Sequence, residues 1–397
     1  MQRVLVLCAG GSAGVKRFKQ YGSGELAKWP RYSQAYPYYG ALLAAGVKVD
    51  VISAGDTGVT DRKGRNPPGN WKAYLGTMSQ VRLLSHYDVV VGWALNTACL
   101  AAGPARMIGQ NRKIAHISFF TYHNPATSIR ERLRQRIFRS AVRWAGKTIL
   151  MTRRQVNEAI IDANCEVRRA AYLPVGVDTQ FFRPDARPNT NGISSELRTL
   201  QPMSYVVVAG DQLRVESEYL AMLTDLGVGL VRLTQNRYAQ QFWHDAVRRG
   251  DANFPVTCIA NLSAVEVRYA YQNALCALNY IDNTEQPAGW SVLTEAMACG
   301  LPVVATKGLA TEELRSYFGT KDEPPFEEVS HSNIDETRCR ISELKSQDTK
   351  RQEMGRSARA FVEKHLNIDR TSRIAMNILI EASTEFKAPT YTSAKNI

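Results

Sequence analysis

Residues 285–306, EQPAGWSVLTEAMACGLPVVAT, hold the groups best placed to bind an anion. Pro287, Ala288 and Gly289 predict a tight turn. Ser291 is the expected N-cap of a helix whose Leu293, Ala296 and Met297 share one apolar stripe. The N–H groups around Gly289, Trp290, Ser291 and Val292 then point outward at the positive end of a helix dipole, an arrangement that suits a phosphate. Glu295 follows one turn further in, on the face of Ser291, where a carboxylate can accept hydrogen bonds from a pair of ribose hydroxyls. Gly300 ends the helix, Pro302 prevents its continuation, and Leu301 to Ala305 reads as a strand buried on both faces. The same run has a plain structural reading, a βαβ crossover with an ordinary surface glutamate.

Such a turn works only if strands and helices present it, and the chain alternates between them. Strands are predicted over 3–10, 47–53, 87–93, 113–120 and 147–152, and again over 205–210, 229–234, 255–260 and 274–280. Helices are predicted over 38–45, 71–84, 128–146, 154–163, 264–272, 334–346, 350–366 and 370–384, whereas 317–331 reads as irregular and acidic. The alternation predicts an α/β protein with parallel sheets. The first strand runs into Gly10-Gly11, a glycine turn that is a weak signal without a full G-x-G-x-x-G, and a second such opening falls at Gly210. Ser263 and Glu266 make a capping box. His116 lies mid-strand and reads as a core residue. Residues 13–37 are basic and aromatic, with Arg31 among them, and read as either an acceptor-binding loop or a mobile one.

At 397 residues, 44% hydrophobic and 22% charged, the chain is globular and long enough for two domains. Seven scattered cysteines without a C-x-x-C pair point to neither a disulfide framework nor a zinc site, and fit a reducing cytosol. The apolar start is too short for a signal sequence, and no apolar run is long enough to span a bilayer. Net charge is +13, and all of the excess is N-terminal: residues 1–190 carry 28 Lys and Arg against 11 Asp and Glu. That asymmetry fits a lipid leaflet, a phosphorylated acceptor or a nucleic acid, or a surface that is basic for solubility alone. Nucleic acid is disfavoured because aromatics do not interleave with the basic residues in the pattern of an RNA-recognition motif. Residues 128–146 form an arginine-dense amphipathic helix, read either as one that lies on anionic membrane or as one whose apolar side faces the core.

Residues 295–304, EAMACGLPVV, resemble the second half of the donor-binding signature of retaining nucleotide-sugar glycosyltransferases of the GT-B group, family four (E-G-F-G-x-x-x-x-E-A-M-A-x-G-x-P-V-V). Residues 173–184, LPVGVDTQFFRP, are similar to the segment with which that family leaves its N-terminal domain. One departure is plain: where the family has its first glutamate this chain has Pro287, and Glu285 lies two positions too early. The resemblance implies two Rossmann-like domains with parallel sheets facing across a cleft. Residues 1–190 would bind the acceptor, 191–203 would be a linker, 204–369 would bind the nucleotide sugar, and 370–397 would cross back to the first domain.

The implied activity is hexosyl transfer from a UDP- or GDP-sugar, with retention and with neither metal nor cofactor. The acceptor stays open between an anionic glycan and a lipid-linked one. By the same resemblance His123, at the end of the 113–120 strand, touches the donor sugar, Glu295 holds the ribose, and the Gly10-Gly11 loop approaches donor phosphate. Asn261 and Leu262 would seat the base. Common members carry an arginine and a lysine after the glycine at 210; here those places hold Asp211 and Glu216. Arg214 is then the loop's only cation and its expected phosphate ligand, since a guanidinium binds two phosphate oxygens at once. The setting implied is cytoplasmic glycan biosynthesis, with peripheral membrane contact through 128–146. A catalytically silent binder and a nucleotide-sugar epimerase share the architecture and remain as alternatives.

Overall fold

The computed structural model describes residues 1–8, 30–31, 39–53, 78, 80–93, 102–118, 129–184, 192–211, 213–281, 287–319, 323–331 and 333–387. The chain divides into two compact units, one of residues 1–23, 34–174 and 371–397, the other of residues 24–33 and 175–370.

In the first unit β1 (Arg3–Cys8), β2 (Lys48–Ser53), β3 (Val89–Trp93), β4 (Ile114–Ser118), β5 (Lys147–Leu150) and β6 (Ala170–Tyr172) form one parallel sheet in the order β2-β1-β3-β4-β5-β6. Its described helices are α1 (Gly40–Ala44), α2 (Pro104–Met107), α3 (Ile129–Trp144) and α4 (Arg153–Ile161). Val4 to Leu7, Val89 to Val91 and Ile114, Ala115 and Ile117 are all buried, as strands covered on both faces must be. His116 is a core residue as the sequence indicates: it packs edge-on against Phe138 at 5.4 Å, and burial pulls its pKa down to about 3. α3 divides along its length. Ala141 and Val142 are buried and Ile137 and Phe138 pack on the core, whereas Ile129 and Leu133 are 79% and 50% exposed beside exposed Arg132, Arg136, Arg139 and Arg143. The later part of the arginine-dense helix thus turns its apolar side to the core, as the second of the two readings expects.

The second unit holds β7 (Tyr205–Ala209), β8 (Gly229–Leu233), β9 (Val256–Ile259), β10 (Cys276–Asn279), β11 (Val303–Thr306) and β12 (Glu327–Val329), all parallel, in the order β12-β11-β10-β7-β8-β9. Its helices are α5 (Ser195–Arg198), α6 (Glu216–Leu223), α7 (Arg237–Arg249), α8 (Ala264–Asn273), α9 (Trp290–Ala298), α10 (Leu309–Arg315), α11 (Ile334–Ser346) and α12 (Asp348–His365). α13 (Ile368–Lys387) starts here, and from Thr371 onward it groups with the first unit. Alternation along β7 shows why the strands read as continuous apolar runs: Val206 and Val208 enter the core on one face, Val207 and Ala209 the core on the other. β12 lies in the stretch that reads as irregular, because it is a three-residue edge strand whose Glu327 and Glu328 are held by Lys350, Arg340 and Arg315.

The units divide at Pro174, not at 190, and 191–203 is not a free linker. Phe181, Phe182, Ile193 and Leu197 are buried in the second unit's core, so hydrophobic burial draws the described chain from Val175 onward into that unit. Arg31 also belongs there, and it is not an acceptor-facing residue. Its side chain is 8% exposed and forks onto Asp178, with Nε to Oδ2 at 3.0 Å and Nη2 to Oδ1 at 3.0 Å, while its main-chain N–H donates to the same carboxylate at 2.8 Å. A further hydrogen bond runs from Nη1 to Asp369. Asp178 also caps the turn after it, accepting from Gln180 N–H at 3.2 Å and Phe181 N–H at 3.3 Å.

Candidate functional site

In an open parallel sheet a crevice forms where the strand order reverses, outside the carboxyl ends of the two strands concerned. In the second unit that point lies between β7 and β10: the chain proceeds from β7 to β8 and β9 on one side, then returns to place β10 on the other. The loop after β7 carries Gly210 and Arg214, and the chain after β10 leads to Gly289 and α9. Topology alone thus brings the two stretches expected to bind an anion to one crevice.

Side chains join them. Arg214 Nη2 donates to Asn279 Oδ1 at 2.9 Å, linking the loop after β7 to the last residue of β10. Arg214 lies over Gly210, where a Cβ would come within 3.4 Å of Nη1. Burial pulls the Arg214 pKa down, although the side chain keeps some exposed surface. From the other side Gly289 presses on the same asparagine: a Cβ there would lie 2.5 Å from Asn279 Nδ2 and 2.6 Å from Ile281 Cδ1. Gly289 also has φ +75°, which a side chain rarely adopts. It, and not Ser291, is the N-cap of α9; the helix starts at Trp290, and no side chain caps it. The correction has a physical reason, since the left-handed glycine turns the chain before Ser291 can. It leaves the first N–H groups of α9, those of Trp290, Ser291 and Val292, without a capping side chain. Ala288 and the Trp290 side chain are buried, and among the described residues Trp290 Nε1 has no hydrogen-bond partner.

Glu295 sits in α9 with no described residue hydrogen-bonded to its carboxyl group, and burial pushes its pKa up to about 8. Tyr271 of α8 is buried close to Glu295, Cys299 and Arg214, and among the described residues its hydroxyl has no hydrogen-bond partner. The sign of the pH effect follows. Between the ordinary value of 4.5 and about 8 the folded protein keeps a proton that the unfolded chain has lost, so stability falls as pH rises through that window and levels off above it. Denaturation midpoints from pH 5 to 9 should show a decline of up to about 1.4 kcal/mol per pH unit that Glu295→Gln removes. A variant with the wild-type slope would contradict this.

Asp211 and Glu216, at the places where common members of the family resembled carry cations, turn inward. Asp211 accepts from Thr234 Oγ1 and from Gln235 N–H at 3.0 Å, and Glu216 pairs with Arg232 at 2.7 Å. Asn261 is exposed at φ 58°, and Leu262 packs on the core. They follow β9, two strands from β7 and so roughly 10 Å away at the usual strand spacing. They share the carboxyl edge but make no hydrogen bond to the Arg214–Asn279 link. Gly10, Gly11, His123 and Glu285 lie outside the described residues. The sequence reading missed Asn279, which it placed inside a strand with no distinguishing mark. It also missed Arg232, whose signal was available: a lone arginine within the apolar strand GLVRL.

Residues 230–377 match the model of the family described as Glycosyl transferase-like. Among solved structures the chain is similar to HepE of Anabaena in complex with UDP, at 14% identity, covering 96% of this chain and 100% of that one, with a TM-score of 0.65. It is likewise similar to sucrose-phosphate synthase of Thermosynechococcus elongatus (14%, 98% and 100%, TM-score 0.69) and to the lipopolysaccharide outer core galactosyltransferase WaaB (13%, 96% and 99%, TM-score 0.60). At such identities the likeness shows the fold, which is GT-B. No curated protein matches the chain in sequence. The matched stretch, which covers less than half of the chain and falls almost wholly in the second unit, together with the fold supports a glycosyltransferase of GT-B architecture.

Proposed function

We propose that the crevice after β7 and β10 binds a UDP-sugar and that the protein transfers the hexosyl group to an acceptor with retention, without a divalent ion. The observation that carries this reading is the Arg214–Asn279–Gly289 junction beside the uncapped start of α9, with the unbonded Glu295 carboxyl further along that helix. HepE has been solved with UDP and with UDP-glucose, which supports the choice of base.

Arg214 and the N–H groups of Trp290, Ser291 and Val292 hold the diphosphate, Glu295 accepts from the ribose hydroxyls, and His123 orients the sugar. As the bond from the anomeric carbon to the diphosphate oxygen breaks, Arg214 and the helix end stabilise the charge that develops on the leaving group. The acceptor oxygen bonds to the same face of that carbon, and its proton passes to the departing diphosphate oxygen, so no protein nucleophile is used.

A panel of UDP-, GDP- and ADP-sugars, scored by thermal stabilisation, tests the donor. A ligand at a hundred times its Kd should add roughly 2.7 kcal/mol, and UDP-sugars should lead. NMR of the product should show the donor's anomeric configuration, and release of UDP should persist in EDTA. Stabilisation without UDP release would favour a silent binder. A free epimerised sugar formed without acceptor would favour an epimerase.

We assign the acceptor, an anionic glycan or a lipid-linked sugar, to the basic first unit, and place the protein at the cytoplasmic face of a membrane. No described helix is long and apolar enough to cross one. Cys165, Cys258, Cys276, Cys299 and Cys339 are free, which fits a reducing compartment. The exposed Ile129 and Leu133 among exposed arginines fit an anionic leaflet. Flotation with phosphatidylglycerol vesicles should be lost in high salt and with Leu133→Asp; flotation indifferent to both would refute the contact.

A further inference from the structure

Arg232 is fully buried in β8, behind the loop that carries Arg214. A guanidinium with no exposed surface needs its charge matched and its N–H groups occupied, and this one is met almost entirely by the two ends of that loop. At the start of the loop Nη1 donates to the Gly210 carbonyl at 2.7 Å, and Nη2 stands 3.8 Å from Asp211 Oδ1. At its end Glu216, the first residue of α6, takes Nη2 at 2.7 Å and Nε at 3.1 Å. Trp243 of α7 donates its indole N–H to the other oxygen of Glu216 at 2.6 Å, and Nη1 is shared with the Leu233 carbonyl at 3.0 Å.

The span between those ends holds Leu213 at φ 58°, a left-handed conformation that costs a residue with a side chain backbone energy. The loop therefore needs fastening if Arg214, next to Leu213, is to stay over the crevice. We infer that Arg232 is a positioning residue for diphosphate recognition: one buried guanidinium clamps both ends of the 210–216 loop and so sets where Arg214 meets the ligand. The two acids do not face the ligand as a weakened phosphate clamp; they are the counter-charge of Arg232. Diphosphate is then read by one cation held in place, where common members of the family resembled carry two at the loop's ends.

This rests on the UDP reading of the same crevice, and the test separates the two. Binding of UDP and of uridine is measured for the wild type, for Arg232→Lys, which cannot make the fork, and for the milder Trp243→Phe, which removes only the indole donor to Glu216. UDP should weaken about tenfold or more in Arg232→Lys and a few-fold in Trp243→Phe. Uridine, which lacks the phosphates, should bind as it does to the wild type, so the ratio of the two affinities collapses. Equal losses for both ligands, or an unchanged ratio, would overturn the assignment and leave Arg232 a residue of stability alone. Amide hydrogen exchange without ligand is the second readout: residues 210–216 should exchange faster in the variants while the rest of the second unit does not, and uniform exchange refutes the clamp. If the wild type binds neither ligand, the UDP reading falls, and the exchange result still decides whether Arg232 fastens the loop.

Discussion

Arg214→Met should lower kcat/KM for a UDP-sugar by roughly 10²–10³-fold, the loss typical when a preorganised donor to a developing anion is removed. The effect is expected to be large because Arg214 is largely enclosed, where charge interacts more strongly than in water, and because Asn279 has already fixed its orientation at 2.9 Å. Methionine keeps most of the volume and no charge, so the unliganded fold should survive with little change in Tm. Arg214→Lys should recover only part of the rate, since a lysine cannot reach Asn279 and two phosphate oxygens with one planar fork. Asn279→Ala should cost less than Arg214→Met: it frees the guanidinium without removing it. Initial rates of UDP release decide the matter, and a rate for Arg214→Met within threefold of the wild type would take the diphosphate away from this residue.

The second large effect concerns stability. Arg31→Met should destabilise the second unit by about 3–5 kcal/mol, because it leaves the buried Asp178 carboxylate without its counter-ion. For a unit of this size that is a fall in Tm of about 6–20 °C. Asp178 is 4% exposed and accepts three hydrogen bonds from Arg31, so water cannot take over that role without opening the site. The same change in an Asp178→Asn background should cost clearly less, and the difference between the two costs is the coupling of the pair. Thermal denaturation of the full chain checks both. A shift for Arg31→Met of less than 1 °C would show the clasp to be dispensable.

Much of this protein was determined by local sequence alone. The apolar strand runs, the helices over 334–346 and 350–366, the Ser263–Glu266 capping box and the stop at Gly300 all depend on residues a few positions apart, and the structure shows them close to where they were expected. The stretch 287–304 was legible for the same reason, since a turn, a helix start and a buried strand are written consecutively.

What the tertiary structure decided are the meetings between distant residues. Arg214 and Asn279 are 65 positions apart and meet because β10 returns to the side of β7; no local pattern encodes strand order. Asp211 and Glu216 could have faced ligand or core, and the choice was made by a buried arginine 16 positions beyond Glu216 that had to be neutralised. Arg31, basic and set in a glycine-bearing, aromatic stretch, looked like a surface residue until Asp178 and Asp369, 147 and 338 positions away, enclosed it. A charge's role is set by whichever opposite charge is buried with it, and only the folded chain determines that.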